Sequence, residues 1–212
     1  MDITKTKQWK DVGGLSKPGK MPCYSYSLPA KRCIAGRILF NLKDSVCEKC
    51  YARRGRYPFR NVQNALERRF QSIVDPSWVD NMTFLIKAAG QSYFRWHDSG
   101  DIQGQWHLNN IVEIAKKCPD VSFWLPTKEF RMVADWKAKH GDFPENLCVR
   151  LSAPFKEYRV HHAFGPSSMV VKDPTKNNNP FTLCGSFKNK GKCGTCRSCW
   201  DRKIILVAYK EH

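Results

Sequence analysis

The chain has 212 residues, 36 Lys and Arg against 19 Asp and Glu for a formal net charge of +17, and ten Cys. Hydrophobic residues at 42% and aromatics at 12% exclude a disordered polyelectrolyte and are enough for a sizeable core. The longest apolar run, Ile204 to Tyr209, is far short of the ~20 residues that span a bilayer, and no export signal opens the chain, so neither membrane insertion nor secretion is expected.

Residues 1–50 carry Pro18, Pro22, Pro29 and repeated Gly with no apolar period, and read as an irregular arm that folds around something. From Pro58 the texture turns helical, with Val62, Ala65, Leu66 and Ile73 near i, i+3, i+4 spacing. Asp75-Pro76 reads as an N-cap and first helical residue of a second helix that places Trp78, Met82, Leu85, Ile86 and Ala89 on one face and stops before Gly90. Then follow a strand at Tyr93 to His97, a helix burying Leu108, Ile111, Val112 and Ala115, and a strand at Val121 to Leu125. A helix from about Phe130 to Lys139 ends at Gly141, and Leu147 to Leu151 is the next strand. Ser168 to Val171 and Ile204 to Val207 could add strands on either side of a polar loop over 173–180.

This alternation predicts an α/β fold, either a partial βα barrel or an open, mainly parallel sheet, with irregular cysteine-rich N- and C-terminal metal-binding segments. The expected divisions are a metal-binding arm over 1–57, an α/β core over 58–172, and a cysteine-cluster segment over 173–212 packed on that core.

In a reducing cytoplasm ten thiols do not make a disulfide scaffold, so metal ligation is the expected use of most of them. Cys184, Cys193, Cys196 and Cys199 form C-x8-C-x2-C-x2-C, whose closely spaced triplet suits the corners of a four-iron cluster; zinc is the alternative. Cys23, Cys33, Cys47 and Cys50 leave three arrangements open. All four close one site, or Cys33, Cys47 and Cys50 hold a cluster with one iron open, or Cys47 and Cys50 join two cysteines of the C-terminal triplet. One or two clusters are therefore expected. Cys118 and Cys148 read as small buried apolar residues.

Parallel strands collect function at their carboxyl ends, and three such ends are polar: His97 to Asp101, Thr127-Lys128-Glu129, and Arg150 with Ser152. A pocket there would use His97, Asp98, Asp101 and Lys128 for proton transfer and substrate orientation, with Lys128 or Arg150 holding an anion. The plainer alternative is that Asp101 and Thr127 cap helices and Arg150 pairs with a carboxylate. The charge excess points to nucleic acid or an acidic host protein as partner. Arg53, Arg54, Arg56 and Arg60, interleaved with Tyr51, Tyr57 and Phe59, suit single-stranded nucleic acid, and Lys190 and Lys192 belong to a second basic run around the C-terminal cysteines.

The segments Ser16-Lys17 to Pro22-Cys23, Ser27 to Ala30, Cys47 to Ala52, Phe94 to Asp101, Trp124 to Glu129, Arg150 to Ser152 and Cys193 to Asp201 resemble a family of small uncharacterised bacteriophage proteins with cysteine-rich ends. That resemblance implies expression in the cytoplasm of a bacterial host. Cys47-Glu48-Lys49-Cys50-Tyr51-Ala52, followed by a helix and a strand ending in Ser99-Gly100-Asp101, is also distantly similar to radical S-adenosylmethionine enzymes. This likeness implies Cys33, Cys47 and Cys50 as cluster ligands, S-adenosylmethionine as cofactor, and Ser99, Gly100 and Asp101 as the turn that holds its amino group. The chain departs from that pattern in lacking C-x3-C-x2-C and in having few βα units. Three functions follow as expectations: an iron-sulfur protein that binds nucleic acid, a radical or redox enzyme acting on nucleic acid or protein, and a zinc-stabilised host-interaction protein.

Overall fold

The computed structural model describes residues 1–176 and 180–211, so part of the polar loop over 173–180, residues 177–179, lies outside the described residues. Five of its strands are β1 (Ser25–Tyr26), β2 (Tyr93–Trp96), β3 (Ser122–Thr127), β4 (Leu147–Ser152) and β5 (Ser167–Val171). With β6 (Thr182–Leu183) and β7 (Leu206–Lys210) they form one open sheet in the order β1-β2-β3-β4-β5-β7-β6, every neighbouring pair parallel. The helices are α1 (Lys7–Asp11), α2 (Ile34–Leu39), α3 (Arg60–Ser72), α4 (Trp78–Ala88), α5 (Gln105–Lys117) and α6 (Phe130–His140). Among the described residues none is long and apolar enough to cross a membrane.

β1 to β5 follow one another across the sheet without reversal, so right-handed crossovers deliver α5 and α6 to the same face. The two-residue period of the strands then divides their side chains. Phe94, Trp96, Phe123, Leu125, Leu147, Val149, Leu151, Met169, Val171, Leu206 and Ala208 join the core under α4, α5 and α6. The alternate residues, Arg95, Trp124, Cys148, Arg150, Val207 and Tyr209, occupy the other face. An all-parallel sheet needs both faces covered, and here the cysteine-rich C-terminal segment covers the second one. Trp200 packs edge-on against Trp124 and Tyr93 and donates from Nε1 to the Phe94 carbonyl at 2.9 Å.

Arg150 fastens that cover. Its fully buried guanidinium donates to the carbonyls of Ser198 at 3.1 Å, Asp201 at 2.9 Å, Ile204 at 2.9 Å and Ser167 at 3.0 Å, with Cys199 further off at 3.4 Å. No carboxylate pairs with it among the described residues, so the expected ion pair is replaced by backbone carbonyls, and the guanidinium has no donors left for an anion. Cys118 and Cys148 are buried as expected.

The sequence signals placed β2 to β5, β7 and the long helices within a few residues. The start of α4 differs: Ser77 is the N-cap, and Asp75 Oδ1 instead accepts from the Ser77 amide and hydroxyl, at 2.8 and 2.7 Å, in a turn ahead of the helix.

Candidate metal centre at the carboxyl edge of the sheet

The arm carrying Cys33, Cys47 and Cys50 is irregular because its prolines and short apolar runs cannot sustain helix or strand, so tertiary hydrogen bonds fix its course. Three strand ends hold it. Tyr51 donates from its hydroxyl to the Asp98 carbonyl and Tyr57 to Asp98 Oδ2 at 3.0 Å, just beyond β2. The Ala35 amide donates to Glu129 Oε1 at 2.8 Å, beyond β3. The Val46 amide donates to the Pro154 carbonyl at 2.9 Å, beyond β4. The arm therefore drapes over the carboxyl edge, where parallel sheets place their ligands.

This course brings Cys33, Cys47 and Cys50 together, all half-buried. Gly36 in α2 marks the gap between two of them: a Cβ there would stand 2.9 Å from Cys33 Cβ, 3.5 Å from Cys33 Sγ and 3.8 Å from Cys47 Sγ. Burial pushes the Cys33 and Cys47 thiols up; Cys50 and the Asp101 carboxylate add to this, and the Lys128 ammonium opposes it. Among the described residues no three His, Cys, Asp or Glu side chains are already arranged around a single ion.

Asp101 is the organiser of the edge. It is buried, and its Oδ1 accepts from Thr127 Oγ1 at 2.6 Å and from the Ile102 amide at 2.8 Å, while Oδ2 accepts from the Lys128 amide at 2.9 Å. Burial raises its pKa, against the lowering effect of these bonds. Thr127 Oγ1 accepts in turn from the Glu129 amide at 3.0 Å. The capping expected of Asp101 and Thr127 is thus a cross-strand link between the ends of β2 and β3, and Lys128 remains half-buried beside the thiols.

Ser99 and Gly100 are committed to the fold. Ser99 Oγ donates to the Leu28 carbonyl at 2.7 Å, and Gly100, at φ +84°, lies so close that an added Cβ would meet Leu28 Cβ at 2.5 Å. Asp98 holds Ser25, Tyr51 and Tyr57. His97 does not line the edge: it is 3% exposed, its ring is 5.4 Å from that of His107, and both its nitrogens are without a hydrogen-bond partner among the described residues. Burial, His107 and Arg95 hold its pKa well below the usual range, and burial lowers that of His107 to about 3.

These two imidazoles predict acid sensitivity. Their folded pKa values lie below the unfolded ~6.5, so under that pH the unfolded chain takes up protons that the fold refuses, and stability falls as pH falls. His107 alone is expected to cost about 2 kcal/mol at pH 5 relative to pH 7. Urea unfolding midpoints between pH 7.5 and 5 should shift less in His107→Leu than in the wild type; equal shifts would refute the assignment.

Around the same loop, Lys49, Tyr51, Arg54, Gly55, Arg56 and Tyr57 line an open hollow of about 410 Å³. Arg54, Arg56 and Arg60 are exposed and Arg53 stacks over Phe40 at 3.8 Å, and none of the four forms an ion pair among the described residues. Lys190 and Lys192 are exposed in the C-terminal segment. Cys23 departs from the other N-terminal cysteines and lies with Cys199 and Cys184 on the second face. Spacing alone did not reveal Gly36 or Arg95; a charged residue inside a central parallel strand was the available signal for the latter.

A single open parallel sheet, crossed on one face and overlaid at its carboxyl edge by a thiol-bearing arm, defines the class of protein. The chain belongs to the gene product 88 family, a family of small phage proteins, which it matches over residues 2–202. No curated protein and no solved structure matches it. The phage resemblance is met at family level; the likeness to radical S-adenosylmethionine enzymes is carried by no comparison.

Proposed function

We propose that the protein is an iron-sulfur enzyme of the infected bacterial cytoplasm, with Cys33, Cys47 and Cys50 holding a four-iron cluster and a nucleic acid bound along the adjoining basic loop. The observation that carries this reading is the gathering of three thiols beside Asp101 and Lys128 at the carboxyl edge of a parallel sheet. Three thiolates leave one iron open to a small ligand, which favours catalysis over a purely structural cluster. S-adenosylmethionine is the ligand the sequence likeness suggests. In this reading Lys128 offsets thiolate charge and Asp101 fixes the backbone around it.

Anaerobic purification followed by visible absorbance and iron and sulfide analysis tests the proposal. Cys47→Ser is expected to lose one cluster's iron and absorbance, and a colourless wild-type protein holding only zinc would overturn the reading. Reductive cleavage of S-adenosylmethionine by the wild type, absent in Cys47→Ser, would support the enzyme. An intact, reduced cluster without cleavage would leave nucleic-acid binding as the function.

That second reading has its own observation, the hollow lined by Tyr51 and Tyr57 and by Arg54 and Arg56, which form no ion pair among the described residues. Single-stranded oligonucleotide binding should weaken steeply with salt. Arg54→Ala with Arg56→Ala should flatten the log-log salt slope by about 0.7 for each phosphate that is no longer neutralised. Absence of binding by the wild type at low salt would remove nucleic acid from both readings.

A further inference from the structure

Besides the buried Cys118 and Cys148, five cysteines lie away from the carboxyl edge: Cys23, Cys184, Cys193, Cys196 and Cys199. Cys23 and Cys199, 3% and 8% exposed, are packed with Trp124, Trp200 and Val207, and Cys184 and Met21 rest against the same cluster. Cys193 reaches this N-terminal stretch from 172 residues away: its Sγ is 3.8 Å from Met21 Sδ, and its amide donates to the Lys20 carbonyl at 3.0 Å. The Cys184 amide donates to the Ala208 carbonyl at 2.8 Å, which sets that residue beside β7, with its Sγ 3.2 Å from Ser186 Oγ, and Cys199 Sγ meets the hydroxyl of Tyr209, also on β7, at 3.2 Å. Cys196 is exposed, with its thiol directed to Ser198 Oγ of its own turn at 3.4 Å.

We propose that Cys23, Cys184, Cys193 and Cys199 form a second, closed four-thiolate site for a soft metal, zinc or an iron-sulfur cluster, with Cys196 outside it. The site would join the two ends of the chain across the second face of the sheet. Four thiolates around a divalent ion carry net negative charge, and two guanidinium groups stand ready for it: Arg95 at 4.3 Å over Trp124 and Arg197 at 5.0 Å over Tyr93. Both oppose the burial that raises the Cys23 thiol to about 12, while Cys193 adds to the rise. Burial raises the Cys193 and Cys199 thiols too, with Cys184 adding to both and Cys196 to that of Cys193. The stretch between β6 and β7 has one 3-10 turn, Gly185–Lys188, as its regular structure, and metal binding supplies the folding free energy that such a segment lacks.

The experiment is metal analysis of the whole protein in a Cys47→Ser background, which removes the carboxyl-edge cluster and so keeps the two proposals separable. One zinc or one cluster per chain is expected to remain, to be lost in Cys23→Ser and Cys193→Ser, and to be kept in Cys196→Ser; elemental analysis distinguishes the two metals. Loss in Cys196→Ser with retention in Cys23→Ser would overturn the assignment, as would absence of any metal in that background. Should Cys23→Ser not fold, alkylation of the wild type decides. Stripping the metal with a chelator, plus ferricyanide for a cluster, should make Cys23, Cys184, Cys193 and Cys199 reactive together while Cys118 and Cys148 stay protected. Unchanged protection of Cys23 would overturn the site.

Discussion

Replacing Arg150 by Met is expected to destabilise the protein by about 3–5 kcal/mol and to release the C-terminal segment from the sheet. The wild-type guanidinium, itself fully buried, satisfies carbonyls at Ser167, Ser198, Asp201 and Ile204. Met fills most of the volume but donates nothing, so each carbonyl keeps the cost of desolvation without its bond. Arg150→Lys retains the charge yet offers a point donor with three hydrogens in place of a planar fork, and should fall between the two. Denaturant unfolding gives the magnitude. Limited proteolysis gives the location: new cleavage between 184 and 204 in the native state is expected, and a protease map identical to the wild type would refute the fastening role.

The second large effect belongs to Asp101. In Asp101→Asn one carboxylate oxygen becomes an NH2 group, which must face a donor, either the Lys128 amide or the Ile102 amide and Thr127 hydroxyl. An unsatisfied buried donor costs about 1–3 kcal/mol, so the fold should survive while the β2 and β3 ends separate. The thiol gap beside them would lose its definition. With the proposed cluster in the wild type, the expected result is a folded protein with less than half the wild-type occupancy after reconstitution. Full occupancy with wild-type stability would show that Asp101 does not organise the edge. Thr127→Val removes one of the same bonds and should give a smaller change of the same sign.

The sequence carried much of this architecture because the strands and helices that cross the core obey simple periods. β2, β3 and β4 are short apolar runs closed by turn residues, and α5 repeats its apolar residues at helical spacing. β1 and β6 escaped because two residues have no period; each is a strand only through its partner, β2 for Ser25–Tyr26 and β7 for Thr182–Leu183. The polar strand ends were legible as a group, but their individual uses were not. Whether Asp98 met a substrate or Tyr57 depended on where the arm ran, and the arm has no periodicity to read. The same limit applied to the cysteines. Spacing grouped Cys23 with Cys33, Cys47 and Cys50, whereas the fold sends the residues on either side of β1 to opposite parts of the sheet.

The pairing of β1 with β2 also constrains the order of events during synthesis. Ser25–Tyr26 leaves the ribosome about 70 residues ahead of the strand it pairs with, a delay of several seconds at roughly 5–20 residues per second. Throughout that interval Cys33, Cys47 and Cys50 have no β2, β3 or β4 end to rest on. The nascent arm is thus a run of open thiols, exposed to oxidation and to whatever the host offers, until the chain has passed Pro154. On the proposed reading, assembly of a cluster at the carboxyl edge is consequently a late step that draws on iron and reductant only after the strand ends are in place.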